Sequence, residues 1–381
     1  MDILLPKHYT EYRQRIRKFA ESEVLPVALE QDAKEEFPVF LAKRMGEMGL
    51  FGITLPKEYG GQGLDALSYI IAVEELARID SSPAATVAAH NSLGIEPIFA
   101  FGTDEQKQYY LPRLTTGEQV WGFGLTEENA GSDARGVETE AKLTDDNWVI
   151  NGNKRFITNS SSEISGGVTL LTITDHIGEK KEISSILVDR GSPGYYTEPV
   201  KGKLVWRAID NGNLRFENCR VPQKNLLGRR GEGMKVMVSA LNGGRLSIGA
   251  VGLGLAQGAY ERAVDYAKKR VQFGKPIVEN QAIRFKLAEI AMKIEAARSL
   301  LYNACHIKDA GEPYAKEAAM AKLYCSDVAE EAARESIQIH GAYGLLHENH
   351  IERFYRDQRL LHIGEGTSEI MKLIISHHIL R

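Results

Sequence analysis

Apolar side chains at Tyr12, Ile16 and Phe19 recur at spacings of four and three, the stripe of an amphipathic helix. Leu67 to Ile79 and the run FGTDEQKQYYLPRL (101–114) continue in the helical manner. Between the first two, PKEYGGQG (56–63) reads as a loop, because a proline and three glycines do not sit in a helix interior. The period changes near position 121. Short β-branched runs, WVI (148–150), GVTLLTI (167–173) and ISSILV (183–188), alternate with Asn, Gly, Asp and Pro turns, the pattern of an antiparallel all-β unit. After GRRGEG (228–233) helical spacing returns. Met234 to Arg270 reads as one helix, and Ile283, Leu287, Ile290, Ile294, Ala297 and Leu301 step by fours and threes, with Glu289 and Lys293 as an outward helix pair. GEPY (311–314) divides two late helices. The pattern predicts an α+β multidomain chain: an N-terminal α-helical domain (1–120), a central antiparallel β-sandwich or barrel (121–228) and a C-terminal helical bundle (229–381).

Composition narrows the function classes. With 381 residues, 43% hydrophobic and 26% charged, the chain is globular and has room for two or three packed units. Lys and Arg number 47 against 51 Asp and Glu, and this balance argues against a nucleic-acid partner, which calls for a basic face. Cys219, Cys305 and Cys325 are an odd set without CxxC spacing, which suits free packing thiols in a reducing compartment. No apolar run approaches the ~18 to 20 residues of a membrane span, and MDILLPKHY lacks the basic-then-apolar order of a signal peptide. A cytoplasmic protein or a processed organelle-matrix protein is expected, with no membrane partner.

Several motifs carry no chemistry of their own. GLGLAQG (252–258) lies inside a helical stretch, so it lacks the strand that a dinucleotide fingerprint requires, and its small residues serve close helix packing instead. No Walker loop, HExxH or GxSxG is present, and the histidines, including His347, His350 and His362, have no carboxylate or cysteine at ligand spacing, so no metal is expected. GFGLTEENAGSD (122–133) joins bare backbone at Gly122, Gly124 and Gly131 to the hydroxyls of Thr126 and Ser132. Such a stretch is either a plain turn cluster or a cradle for a flat polar ring or a pyrophosphate. KRFITNS (154–160) repeats the theme, with an aromatic plane at Phe156 and a hydroxyl at Thr158.

HIGEGTSEI (362–370) poses the sharpest question. Thr367 or Ser368 can cap a helix running to about Leu380, with Glu369 in its first turn and Glu365 just outside. In the bland reading Glu365 is a surface carboxylate favoured by the helix dipole. In the other, Gly364 and Gly366 leave a flat ligand free access to it, and apolar neighbours exclude water and raise its pKa toward that of a general base. A base in an apolar slot suits removal of a proton from carbon.

PKEYGGQG, GFGLTEENAGSD, KRFITN, RVQFGKP (270–276), QIHGAYG (338–344) and IGEGTSEI (363–370) stand in the order and spacing of the acyl-CoA dehydrogenase family, which the chain resembles over essentially its whole length. The resemblance implies the family's fold, ending in a four-helix bundle, and a flavin enzyme that converts an acyl-CoA to a trans-2-enoyl-CoA. It implies Glu365 as the base that takes the α-proton while the β-hydrogen leaves as hydride to FAD. It places Phe123, Leu125, Thr126, Ser132, Phe156 and Thr158 in the flavin cradle, with Ser132 also near the CoA chain. Arg270, Gln272, Phe273, Gln281, Gln338 and Gly341 match positions that grip the adenine and diphosphate end of FAD, several of them on a neighbouring subunit's cofactor. Thr367 and Glu369 match cofactor contacts past the base, and Arg245 matches an arginine near the CoA moiety. Gly364 and Gly366 border the substrate beside the base. A homotetramer and reoxidation by electron-transferring flavoprotein are further implications.

Departures from the family pattern bear on specificity. Some relatives carry the base just before the arginine of LNGGRLS, where this chain has Gly244. Gly364 replaces a bulky tyrosine common in straight-chain enzymes, which makes branched or cyclic acyl groups plausible substrates beside short ones. Residues 81–95 hold no arginine, which disfavours dicarboxylyl substrates. Trp206 intrudes into KLVWRAIDNGNL (203–214), Asn242 stands where aspartate is common, and Ala342 replaces a glycine. The rival functions are an acyl-CoA oxidase that passes electrons to oxygen, and a non-catalytic or regulatory flavin- or acyl-CoA-binding protein of the same fold.

Overall fold

The structure, a computed structural model, describes residues 5–380. Helices α1 (Lys7–Phe19), α2 (Leu25–Lys34), α3 (Val39–Glu47), α4 (Ala66–Ala77), α5 (Ser81–Ala89), α6 (Glu96–Phe101) and α7 (Asp104–Thr115) come first. The α1 stripe buries Ile16 and Phe19 as expected, but Tyr12 is only half-buried, and Tyr9 and Arg13 complete the inward face. The Arg13 guanidinium meets Glu74 of α4, which also takes a hydrogen bond from Arg298 at 3.0 Å. Charge inside this apolar region is thus paired, which is the condition on which burial is tolerated.

The strands are β1 (Val120–Gly124), β2 (Glu140–Thr144), β3 (Asn147–Thr158), β4 (Ser165–Ile177), β5 (Lys180–Asp189), β6 (Tyr195–Pro199), β7 (Asn211–Pro222) and β8 (Leu226–Leu227). They form one sheet in the order β6-β7-β3-β2-β4-β5-β8, with β1 attached to β4. The expected antiparallel pairing holds along most of this path, but β1 and β2 both run parallel to β4, so the sheet is mixed. Residue alternation sets which face a side chain takes and carries no sign of strand direction, which explains the difference.

The C-terminal part contains α8 (Gly233–Lys269), a small hairpin of β9 (Val271–Gln272) and β10 (Lys275–Pro276), then α9 (Gln281–Asp309), α10 (Ala315–His340), α11 (Ile351–Asp357) and α12 (Ser368–Ile379). Helices α8, α9, α10 and α12 pack as the bundle. Two expectations need correction. Lys293 bonds Glu331 of α10 at 2.5 and 2.7 Å rather than standing with Glu289, because an interhelical carboxylate outcompetes a pair worth only tenths of a kcal/mol. Helix α8 does reach membrane-span length and apolarity, with an 18-residue window of mean hydropathy 1.3. That window is 78% buried inside the protein, so neighbouring helices rather than lipid take up its apolar surface.

Residues of α1, α4, α5, α8, α9 and α10 share the largest core, so the first and last helical parts are fused across the chain. A second core joins Ile98, Leu111 and Trp121 to Val236 and Met237 at the start of α8, and seats the sheet against the helices. A third, with Trp148, Ile150, Leu214 and Phe216, belongs to the sheet itself. Cys219, Cys305 and Cys325 are free and buried, as packing residues. The histidine reading changes at His362, whose Nε2 meets Asp327 Oδ1 at 3.1 Å, and at His347. His347 gathers Asp32 and Glu352 in space, a set that sequence spacing hides, but Arg356 bonds both carboxylates and makes the cluster an ion-pair network.

Candidate active site

After α11 the chain tightens into a 3-10 turn, Gln358–His362, and the N–H groups of Ile363 and Gly364 both close onto the Leu360 carbonyl, at 2.9 and 2.8 Å. Glu365 follows with φ +53° and Gly366 with φ +104°. A left-handed non-glycine residue costs about 1 to 2 kcal/mol, so the turn that aims Glu365 is held by its surroundings rather than chosen by the residue. Thr367 then caps α12, its hydroxyl accepting from the Ile370 N–H at 3.3 Å. Glu369 lies exposed in the first turn, as the sequence pattern requires.

The Glu365 carboxylate points at α8. A Cβ placed on Gly244 would lie far inside van der Waals contact distance of Glu365 Oε2, so the absent side chain at 244 is the space the carboxylate occupies. Arg245 follows on the same helix, 8% exposed, its Nη1 donating to Asn242 Oδ1 at 2.6 Å. From α10, the fully buried Lys322 donates to the Gly366 carbonyl at 2.8 Å. Glu365 as a whole residue is half-buried, yet its Oε2 is enclosed and has no hydrogen-bond partner among the described residues. Burial pushes its pKa up to about 7, and the opposing pull of Arg245 and then Lys322 is the weaker effect. The surface-carboxylate reading is therefore replaced by that of an enclosed group poised near neutrality. Because a base acts only when deprotonated, kcat/KM should rise with pH through an apparent pKa near 7. A pH profile flat from 5 to 9 would contradict this assignment.

The residues proposed for a flavin cradle come together beside the sheet. Phe123 on β1 is buried, Leu125 and Thr126 are half-buried, and Ser132 is exposed. Strand β3 brings Phe156, 61% exposed at φ +60°, and Thr158, whose hydroxyl accepts from Asn211 Nδ2 at 2.9 Å. The two segments are tied by the Arg155 N–H to the Thr126 carbonyl at 2.8 Å. Lys154, buried beneath, donates to the Leu125 carbonyl at 3.2 Å and to Glu127 at 2.6 Å. Arg270, Gln272, Phe273, Gln281, Gln338 and Gly341 form another group, where the hairpin meets the start of α9 and the end of α10, with Arg270 over the Tyr343 ring at 5.4 Å. At 1.5 Å per residue, Arg270 lies about 38 Å along α8 from Arg245, so this group is separate from the Glu365 loop of its own chain.

Sequence reasoning passed over Lys322. Its signal was available, a lysine set in the apolar stripe Ala318, Ala321, Cys325 and Ala329 of α10.

Three family descriptions match the chain in order: acyl-CoA dehydrogenase N-terminal domain (residues 6–118), middle domain (122–219) and C-terminal domain (231–380). A probable acyl-CoA dehydrogenase of Bacillus subtilis is 44% identical over 381 residues, covering all of both chains. Butyryl-CoA dehydrogenase from Megasphaera elsdenii superposes with a TM-score of 0.96 at 38% identity, again over all of both chains. A solved chain described with the electron transferring flavoprotein of Acidaminococcus fermentans, towards a mechanism of flavin-based electron bifurcation, gives a TM-score of 0.96 at 40% identity and the same full coverage. With these matches spanning its whole length and the three-part fold already described, the chain belongs to the acyl-CoA dehydrogenase family.

Proposed function

We propose that this enzyme removes the α-proton of an acyl-CoA thioester with Glu365 and sends the β-hydrogen to FAD, leaving a trans-2-enoyl-CoA. The observation that carries the reading is the enclosed Glu365 carboxylate in the room left by Gly244, held in a loop otherwise bare of side chains. An unpartnered carboxylate at this depth has unmet hydrogen-bonding capacity and a raised proton affinity, which suits proton abstraction from carbon. Arg245 and Lys322 provide positive charge near the place where the thioester becomes enolate-like.

The residues beside the sheet fit a flavin. Phe156 exposes an aromatic face from a backbone conformation disfavoured for a bulky side chain, and Gly131 has open space where a Cβ would project. Phe123, Leu125, Thr126, Ser132 and Thr158 would complete that cradle. When bound, FAD supplies the acceptor for the hydride.

Phe273, fully exposed at φ +51°, presents an aromatic ring that nothing in its own chain covers among the described residues. Its group lies about 38 Å along α8 from the Glu365 region, which favours service to a neighbouring subunit's FAD within a homotetramer. Apolar side chains exposed at Phe285, Met292, Leu373 and Leu380 give such an assembly surface to bury. Electron-transferring flavoprotein is the acceptor this reading implies.

A short acyl group is supported by the butyryl-CoA dehydrogenase likeness. Gly364 adds tolerance for branching, since a Cβ there would meet only ordinary contacts and the glycine is not demanded by crowding. The test is anaerobic addition of butyryl-, isobutyryl- and cyclohexanecarboxyl-CoA to the purified holoenzyme, with flavin absorbance as the readout. Rapid bleaching by at least one is expected. Full colour with every acyl-CoA would overturn the dehydrogenase reading, and peroxide release in air would favour the oxidase.

A further inference from the structure

We infer that Lys322 is a positioning residue for the catalytic loop, fixing the Gly366 carbonyl and setting the field in which Glu365 gains and loses its proton. The inference rests on the reading of Glu365 as the base. Lys322 lies on α10 with no exposed surface, and the one hydrogen bond of its ammonium among the described residues runs to Gly366, the residue next to Glu365. A buried ammonium with a single carbonyl partner is an expensive arrangement. Most other buried cations are paired directly with carboxylates, as Lys154 with Glu127 and Arg353 with Asp80, the exception being Arg245 of the same site, which bonds Asn242. Lys322 makes no such pair within 4 Å among the described residues, and its charge is left to act on the Glu365 carboxylate through space.

The loop geometry gives that bond a task. Glu365 and Gly366 both hold positive φ, so the segment needs an outside anchor to stay in this conformation. Thr367 fixes its far side through the α12 cap, and Lys322 fixes the near side through the carbonyl between them. The charged groups acting on Lys322 are Glu365 of the loop, Arg245 of α8, Asp327 of its own helix and Glu369 of α12. Burial lowers the Lys322 pKa to about 8, against the raising effect of Glu365, so its charge is present where Glu365 first ionises and fades at higher pH. In that window the positive charge favours the ionised carboxylate.

The test uses FAD-loaded Lys322→Met and Lys322→Gln. Methionine keeps the buried volume without charge or donor, and glutamine keeps a donor without charge. Anaerobic flavin reduction by butyryl-CoA is followed from pH 5.5 to 9.5, alongside binding of a non-reducible acyl-CoA thioether. Lys322→Met should lower the limiting reduction rate roughly 10- to 100-fold, the range for a small misplacement of a catalytic group. Lys322→Gln should lose less. Both should move the pH midpoint up by about one unit while thioether affinity changes less than about threefold. Wild-type midpoint and rate in both variants would overturn the role, as would a loss confined to binding. Should the wild-type protein fail to bleach, the dehydrogenase reading fails by itself. The Lys322 inference is then judged by infrared titration of the Glu365 carboxyl, identified by its loss in Glu365→Gln. An upward shift of that midpoint in Lys322→Met supports it, and an unmoved midpoint overturns it.

Discussion

Glu365→Gln should give a folded, yellow protein whose flavin reduction by acyl-CoA is slower by at least ~100- to 10,000-fold, the contribution typical of a positioned general base. Glutamine is nearly isosteric, and burial is already the dominant influence on this carboxylate, so the fold loses nothing by its neutralisation. A glutamic acid whose pKa is raised by folding has a sign that can be worked through. The folded state holds the proton more tightly than the unfolded chain, so the ionised side chain costs stability progressively as pH climbs from the ordinary carboxylate range to about 7. Above that pH the variant should therefore be at least as stable to heat as the wild type. Rapid-mixing absorbance and thermal unfolding at pH 8 check the two parts. Unchanged reduction would remove Glu365 from the chemistry, whereas a colourless protein would indicate a structural role instead.

Gly244→Ala is the second large effect, and it separates stability from activity. In the middle of a helix alanine is ordinarily better than glycine by roughly 0.5 to 1 kcal/mol, so the substitution should leave α8 intact or slightly firmer. The new methyl group, however, must take the space of Glu365 Oε2, the end of a side chain that can turn away. A base displaced by about 1 Å from its working position costs on the order of 100-fold. Normal or raised Tm with strongly reduced flavin reduction is the expected pair of results. Wild-type turnover in this variant would mean that the carboxylate does not work from the position it holds against α8.

The two variants probe opposite sides of one contact, and the comparison explains a departure visible in the sequence. Relatives that carry a base at the position of Gly244 could not also house a carboxylate from the 365 loop in the same space. In this chain the room is given to Glu365, and the helix residue is reduced to a hydrogen. Gly244 is thus tied to the choice of base by sterics and not by helix propensity, which would favour almost any other residue there except proline.

Helical spacing placed α1, α4 and α8, because burial on one face imposes the helical repeat on the chain locally, and proline and glycine marked the breaks at GEPY and PKEYGGQG. A cap at Thr367 or Ser368 and the helix that follows were equally legible, since both depend on neighbours within four residues, and the structure selects Thr367. Glu365 could be singled out by its bare glycine neighbours, yet sequence left its surface and enclosed readings both open. Other features had no local signal. The parallel pairing of β1 and β2 with β4, the reassignment of Lys293 to Glu331 and the gathering of Asp32, His347 and Glu352 all join residues far apart in sequence.

By itself, then, the sequence determined the three-part succession of helix, strand and helix and marked the short stretches able to carry chemistry, because both are written in the spacing of near neighbours. Only the tertiary structure decided that the acid of the last loop lies inside, in the gap at Gly244 and beside Arg245 and Lys322. Those groups come from positions 244, 245, 322 and 365, and a carboxylate's proton affinity depends on the solvent excluded and the charges brought near it, which distant parts of the chain supply only after folding.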